Sequence, residues 1–390
     1  MAGLVAGLFL LAACQGTGVN LGGGAAPTPG SQPVTGEVLG NGSVRVALLV
    51  PLSANGNAAQ IAANLRNAAA LALQELPSAN IQILVKDDRG TAEGARAAAS
   101  EAIAQGAELI LGPLFAQSVS GAASVARPAG VPIVAFSTDV SVASPGVYLL
   151  SFLPRSDVIR IIAYAAARGQ SSIAALIPNN AYGTVVEGAL REAAGSTGIR
   201  LVAVERYELD RTSMQEKAEI IAGIVSAGQA DTVFMPDAGD AAPFLSQILA
   251  ARGVRPGAVQ FIGSGQWNDD RILMEPTLVG AWFPGADEAA FDAFSARYAA
   301  AYGAVPFRTA SQGYDAVILA AGLTARFGES RFAAATLTDP NGFRGMDGAF
   351  RFLSDGSNQR TLAVYQITGG GGRTTIDPAP SSFAAQTATR

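Results

Sequence analysis

Histidine is missing from all 390 residues, and cysteine occurs once, at Cys14. These absences remove a Ser-His-Asp triad, a Cys-His dyad, a histidine-based zinc site and any disulfide within the chain. Charge is sparse as well. Only 15% of residues carry it, the net value is −5, and both signs are interspersed. No basic stripe for nucleic acid follows from that distribution. Enzyme chemistry would be left to carboxylates, Lys or Tyr. Asp87-Asp88 and Asp269-Asp270 are the obvious carboxylate pairs, but neighbours along an extended chain point apart. Both pairs read as turn or cap residues. No catalytic residue, metal or cofactor is assigned.

What is abundant is Ala and Gly, which suits buried parallel strands flanked by Ala-faced helices. The length allows about two domains. The stretch 109–139 sets the pattern. A short apolar run ends in Gly112-Pro113, a helix follows, and Gly130-Val131-Pro132 leads into a second run ending at Phe136-Ser137-Thr138-Asp139. This is a strand–turn–helix–strand unit of a parallel sheet. Ligands bind outside the carboxyl ends of such strands, so these ends are expected to face a cleft. The N–H groups of residues 116–118 at the helix start would suit an anion there.

The same rhythm runs along the chain. Strands are expected at 44–50, 81–85, 109–111 and 133–135, with helices between them. After residues 147–152 it repeats, with strands at 172–177, 200–204, 232–235, 260–262 and 279–282. Helices at 287–302 and 309–327 follow, and then 345–352 and 361–367, which read as an antiparallel pair. The fold class is α/β, with two lobes that are each a doubly wound, mainly parallel sheet. Lobe 1 is expected over 44–150 plus about 303–330, and lobe 2 over 151–302 plus about 340–368. Residues 15–43 are rich in Gly, Thr, Asn, Pro and Ser and read as a flexible tether, with a reach on the order of 30 Å. Residues 369–390 read as a disordered tail.

Residues 1–13 are nearly all apolar and lead to Cys14. That is the pattern of a secretory signal, and it is shorter than the ~20 residues that span a bilayer. Leu11-Ala12-Ala13-Cys14 resembles a bacterial lipobox, which implies cleavage before Cys14 and a lipid on its thiol. The expected location is the periplasm of a Gram-negative bacterium, with the chain anchored to the outer or inner membrane.

The order of elements, with Val46 to Ser53, Gly112-Pro113, Pro132 to Ser137, Ala181-Tyr182-Gly183 and Gln312-Gly313-Tyr314, resembles the type I periplasmic binding proteins of the leucine-binding-like group. That resemblance implies three chain crossings between lobes and a return of 309–327 to the first lobe. It also implies a zwitterion site. The position matching the family's helix-start hydroxyl is Ala116, and that matching its threonine is Asp139 or Thr138. No acid stands near Gly265, where the family places one against an ammonium. Asp237 and Asp139 are the acids left for that role.

Leu111 to Leu114, Val134 to Asp139, Gly146 to Pro154 and Asn180 to Gly183 resemble more narrowly the lipoproteins called penicillin-binding protein activators. The leading expectation is therefore a non-enzymatic, lipid-anchored regulator with a cell-wall synthase as partner, gated by a small polar or amino-acid-like ligand. The alternative is the substrate-binding lipoprotein of an amino-acid or amide ABC transporter, with a permease as partner. The candidate ligand-binding residues are Ser53, Phe115, Gln117, Ser118, Phe136, Ser137, Thr138, Asp139, Tyr182, Asp237, Gln266 and Trp267. Ser137, Thr138 and the helix-start N–H groups would take an anion, and Phe136, Tyr182 and Trp267 would form walls.

Overall fold

The computed structural model describes residues 32–383. Strands β1 (Glu37–Leu39), β2 (Val44–Val50), β3 (Ile81–Asp87), β4 (Ala107–Leu111), β5 (Ile133–Ala135) and β6 (Val147–Leu149) form the first sheet, in the order β1-β3-β2-β4-β5-β6. All but β1 run parallel. Alternation along β2 sends Val46, Leu48 and Val50 into the core on one face and Ala47 and Leu49 into that on the other. Helix α1 (Asn57–Glu75) covers the first face, while α2 (Ala92–Ala104) and α3 (Ala116–Ala126) cover the second. Gly112 ends β4 with φ +83°, and a Cβ there would lie 2.2 Å from the Leu49 carbonyl oxygen. Only glycine fits that turn.

The second lobe repeats the plan. Helices α4 (Pro154–Ala167) and α5 (Ala181–Thr197) cover one face of its sheet, and α6 (Arg211–Ser226) and α7 (Ala241–Ala251) the other. Its parallel strands are β7 (Ser172–Pro178), β8 (Arg200–Tyr207), β9 (Thr232–Phe234), β10 (Gln260–Ile262) and β11 (Trp282–Gly285). Asp269 caps the short α8 (Asp270–Leu273), and Asp87 and Asp88 accept backbone N–H bonds of the turn after β3. Both carboxylate pairs thus sit in turns and caps.

The chain then returns to the first lobe. Residues 286–287 cross over, and α9 (Glu288–Tyr302) packs Phe294 and Tyr298 into the first-lobe core. The Tyr302 hydroxyl donates to the Asn67 carbonyl, and Arg297 pairs with Glu75. This corrects the expected boundary at 302. The spacing of α9's aromatic face is legible in sequence, but not which lobe it meets. Helix α10 (Ala310–Phe327) lies against α1 in the first lobe, and the short α11 (Ala334–Leu337) follows it.

Strands β12 (Phe343–Gly345), β13 (Gly348–Phe352) and β14 (Asn358–Arg360) form a separate antiparallel sheet that buries Phe350 and Phe352 in that same core. The strand partner of 348–352 is thus 358–360 rather than the expected 361–367, which meets it only through Thr361 and Ala349. The chain crosses again at 361–362, and β15 (Ala363–Gly369) pairs with β11.

Both ends of the head carry structure that composition hid. Strand β16 (Gly372–Asp377) pairs with β15 inside the stretch read as a tail. In the stretch read as a tether, Gln32 donates to the Ala104 carbonyl, Lys86 donates to that of Thr35, and β1 covers the free edge of β3. An exposed strand edge recruits a partner strand through its unpaired backbone groups. Residues 1–14, with the lipobox and Cys14, and the remainder of the tether lie outside the described residues. No helix among the described residues is long and apolar enough to cross a membrane.

Candidate functional site

The crossings frame the site. Leaving β6, residues 150–153 lead into α4, whose first turn carries Asp157. The crossings are stitched together. Asn358 donates to the carbonyls of Leu149 and Ser151, and Arg360 to that of Leu150. Beside them lies a cavity of about 410 Å³ lined by Phe152, Asp157, Tyr182, Gln266, Phe283 and Tyr365, with Arg308 and Glu288 at its rim.

Asp157 is a strongly perturbed group in that wall. Its Oδ2 accepts the Gly265 N–H at 3.0 Å. A Cβ on Gly265 would sit 2.8 Å from that oxygen, so a glycine here lets the carboxylate lie against the backbone. Burial pushes its pKa up to about 7, against the smaller opposing effect of the Gly265 bond. The Tyr182 hydroxyl is held by the Pro236 carbonyl at 3.0 Å and Ser264 Oγ at 3.1 Å, and burial raises its pKa. Asn180 caps α5 by accepting the Gly183 N–H, which fixes Tyr182 in the first turn.

The other charges of the wall are matched internally. Arg308 binds Asp347 at 2.5 Å and lies 4.2 Å over the Phe291 ring. Glu288 pairs with Arg373 and accepts from Asn268 Nδ2 at 2.6 Å.

Of the residues singled out from sequence, Tyr182 and Gln266 line this cavity. Trp267 is fully buried, donates to the Asp237 carbonyl at 3.2 Å and packs against Gly263, so it supports the wall from behind. Asp237 takes the Tyr207 hydroxyl at 2.8 Å and faces a neighbouring hollow with Leu209 and Arg211.

The first-lobe residues gather elsewhere. Gln117 donates to the Gly90 carbonyl at 2.6 Å, Ser118 to that of Thr91 at 3.3 Å, and Phe115 lies against Gly90. Ser53 donates its N–H to Asp87. Phe136 is buried in the core, and buried Ser137 accepts the Asp139 N–H. Thr138 is exposed. Asp139 accepts the Ser141 N–H, and hydrogen bonding to the Ser141 side chain first and its backbone second holds the Asp139 pKa below the usual carboxylate range. None of these eight lines the cavity. Asp157, Arg308, Glu288, Phe152, Phe283 and Tyr365 are among the lining residues that the sequence did not single out. Asp157 and Gly265 stand 108 residues apart, and their only local signals are an acid in a first helical turn and a glycine after a strand.

The family model described as periplasmic binding protein matches residues 43–372. No curated protein matches the chain. Among solved structures, a putative branched-chain amino acid ABC transporter protein from Rhodospirillum rubrum is 21% identical with a TM-score of 0.74, and the match covers 85% of this chain and 99% of that one. A substrate-binding protein from Desulfitobacterium hafniense in complex with leucine is 18% identical, with a TM-score of 0.60 and coverage of 85% and 99%. A solute-binding protein from Rhodopseudomonas palustris in complex with benzoate is 17% identical, with a TM-score of 0.54 and coverage of 87% and 98%. At these identities the likeness is one of fold.

Proposed function

The chain belongs to the periplasmic binding protein family, and on that premise we propose that it is the solute-capturing component of an ABC importer, held at a membrane by a lipid on Cys14. The solute sits in the cavity between α4, the strand ends of the second lobe and the crossings, and the lobes close over it. An ABC permease is the protein partner. One observation carries the reading: a cavity of about 410 Å³ walled by aromatic rings, with the half-buried, unpaired carboxylate of Asp157 in its lining. The named structural relatives are transporter-binding proteins, which favours this reading over the cell-wall regulator.

The test is a melting-temperature screen of protein stripped of bound solute, against millimolar amino acids, amines, amides and aryl carboxylates. A solute at a hundredfold excess over Kd stabilises the native state by about 2.7 kcal/mol, which moves Tm by several degrees. At least one class is expected to do so, and Gln266→Trp, which fills the cavity mouth, is expected to abolish the shift. No shift across the panel contradicts the reading. For the anchor, Cys14→Ser is expected to move the protein from membrane to soluble fractions, and continued sedimentation with membranes would refute lipidation.

A further inference from the structure

We infer that the cavity selects a primary amine on an aromatic or branched apolar body, without an α-carboxylate. The inference rests on the solute-binding reading above and adds the chemical class.

Charge bookkeeping at the wall carries it. Four charged side chains on or beside the cavity find their opposites within the protein: Arg308 with Asp347, and Arg373 with Glu288. Asp157 is left over. Its hydrogen-bond partner is the Gly265 N–H, and no Lys or Arg among the described residues pairs with it. A half-buried carboxylate without a cation is a site that an ammonium on a ligand can pair with. An ammonium placed there also meets the ring of Tyr182, and cations bind aromatic faces.

A carboxylate on the ligand finds no such welcome. The Arg308 guanidinium at the rim is taken by Asp347, with Glu288 3.8 Å away on its other side. On the first lobe, Ala116 has no hydroxyl, buried Ser118 donates to the Thr91 carbonyl, and buried Ser137 accepts the Asp139 N–H. The body of the ligand is set by the rings of Phe152 and Tyr365, backed by buried Phe283, and by no free charge.

Three probes that share one body separate the possibilities: 2-phenylethylamine, phenylalanine and 3-phenylpropionate, titrated calorimetrically into the stripped protein at pH 8. The amine is expected to bind at least about tenfold more tightly than phenylalanine, and the acid is expected not to bind. Asp157→Asn should weaken the amine by about thirtyfold or more, with its fold checked by circular dichroism and melting. Asp157→Glu keeps the charge and should retain part of the affinity. Tighter binding of phenylalanine or 3-phenylpropionate overturns the inference while leaving the solute-binding reading intact. So does amine binding that is unchanged in Asp157→Asn. Silence from all three probes also overturns it, and silence from the wider panel would bring down both readings.

Discussion

Replacing Asp157 with Asn should make the solute-free protein more stable at pH 8. In the folded state burial moves this carboxyl from 3.8 to about 7. Below 3.8 the folded and unfolded states are both protonated, and Asp157 costs nothing electrostatic. Between 3.8 and 7 the fold holds a proton that the unfolded chain has released, so its stability falls as pH rises across that window. Above 7 the loss is complete. At about 1.36 kcal/mol per pKa unit, the full loss is on the order of 4 kcal/mol at pH 8 and less than half of that at pH 5.

Asparagine carries no charge, and its Oδ1 can still accept the Gly265 N–H that Asp157 takes at 3.0 Å. The difference between the two proteins isolates this residue, because Asp315, also pushed up to about 7, is common to both. Melting scans at pH 4, 5 and 8 read it out. The expected gain is near zero at pH 4, intermediate at pH 5 and several degrees at pH 8. A variant less stable than the parent at pH 8, or a difference that ignores pH, would mean that the carboxylate already has a cation and that the charge argument fails. The trade of stability for a site poised to receive an ammonium is common at binding sites.

Arg360 offers a second test, since its buried guanidinium lies 4.7 Å from the Phe152 ring centroid and faces Asp315 and Asp347. Arg360→Met should cost about 3–5 kcal/mol, and adding Asp315→Asn should recover part of it. Two independent penalties in a thermal double-mutant cycle would argue against coupling. Gly183→Ala places a Cβ 1.8 Å from the Pro178 carbonyl oxygen. It should lower stability by about 1–3 kcal/mol through overpacking, and an unchanged melting temperature would refute that contact.

The two lobes were legible because each central strand is an apolar run closed by turn residues. The β2 segment, Val44–Val50, is buried nearly throughout, and its alternation feeds two cores. The edge strands were not legible. Gly372–Asp377 is a strand because β15 offers it an edge, not because Gly-Arg-Thr-Thr favours one. The lobe that receives α9 depends on a two-residue crossing no window of sequence reveals. The cavity wall was legible only in part, for a similar reason: Tyr182 and Gln266 were singled out, and Asp157 and the aromatic rings were not. The sequence pointed to strand ends of the first lobe, where Ser118, Ser137 and Gln117 turn out to bond the backbone around them. The acid sought beside Gly265 does exist, but α4 supplies it from 108 residues away.

The most direct measurement is a crystal structure of the protein with whichever solute gives the largest melting shift. The account predicts density in the cavity between Phe152, Phe283 and Tyr365, with a polar ligand atom within hydrogen-bond distance of Asp157. Density in the hollow beside Asp237 and Leu209, or on the first lobe around Gln117, with the cavity at Asp157 unfilled, would contradict it.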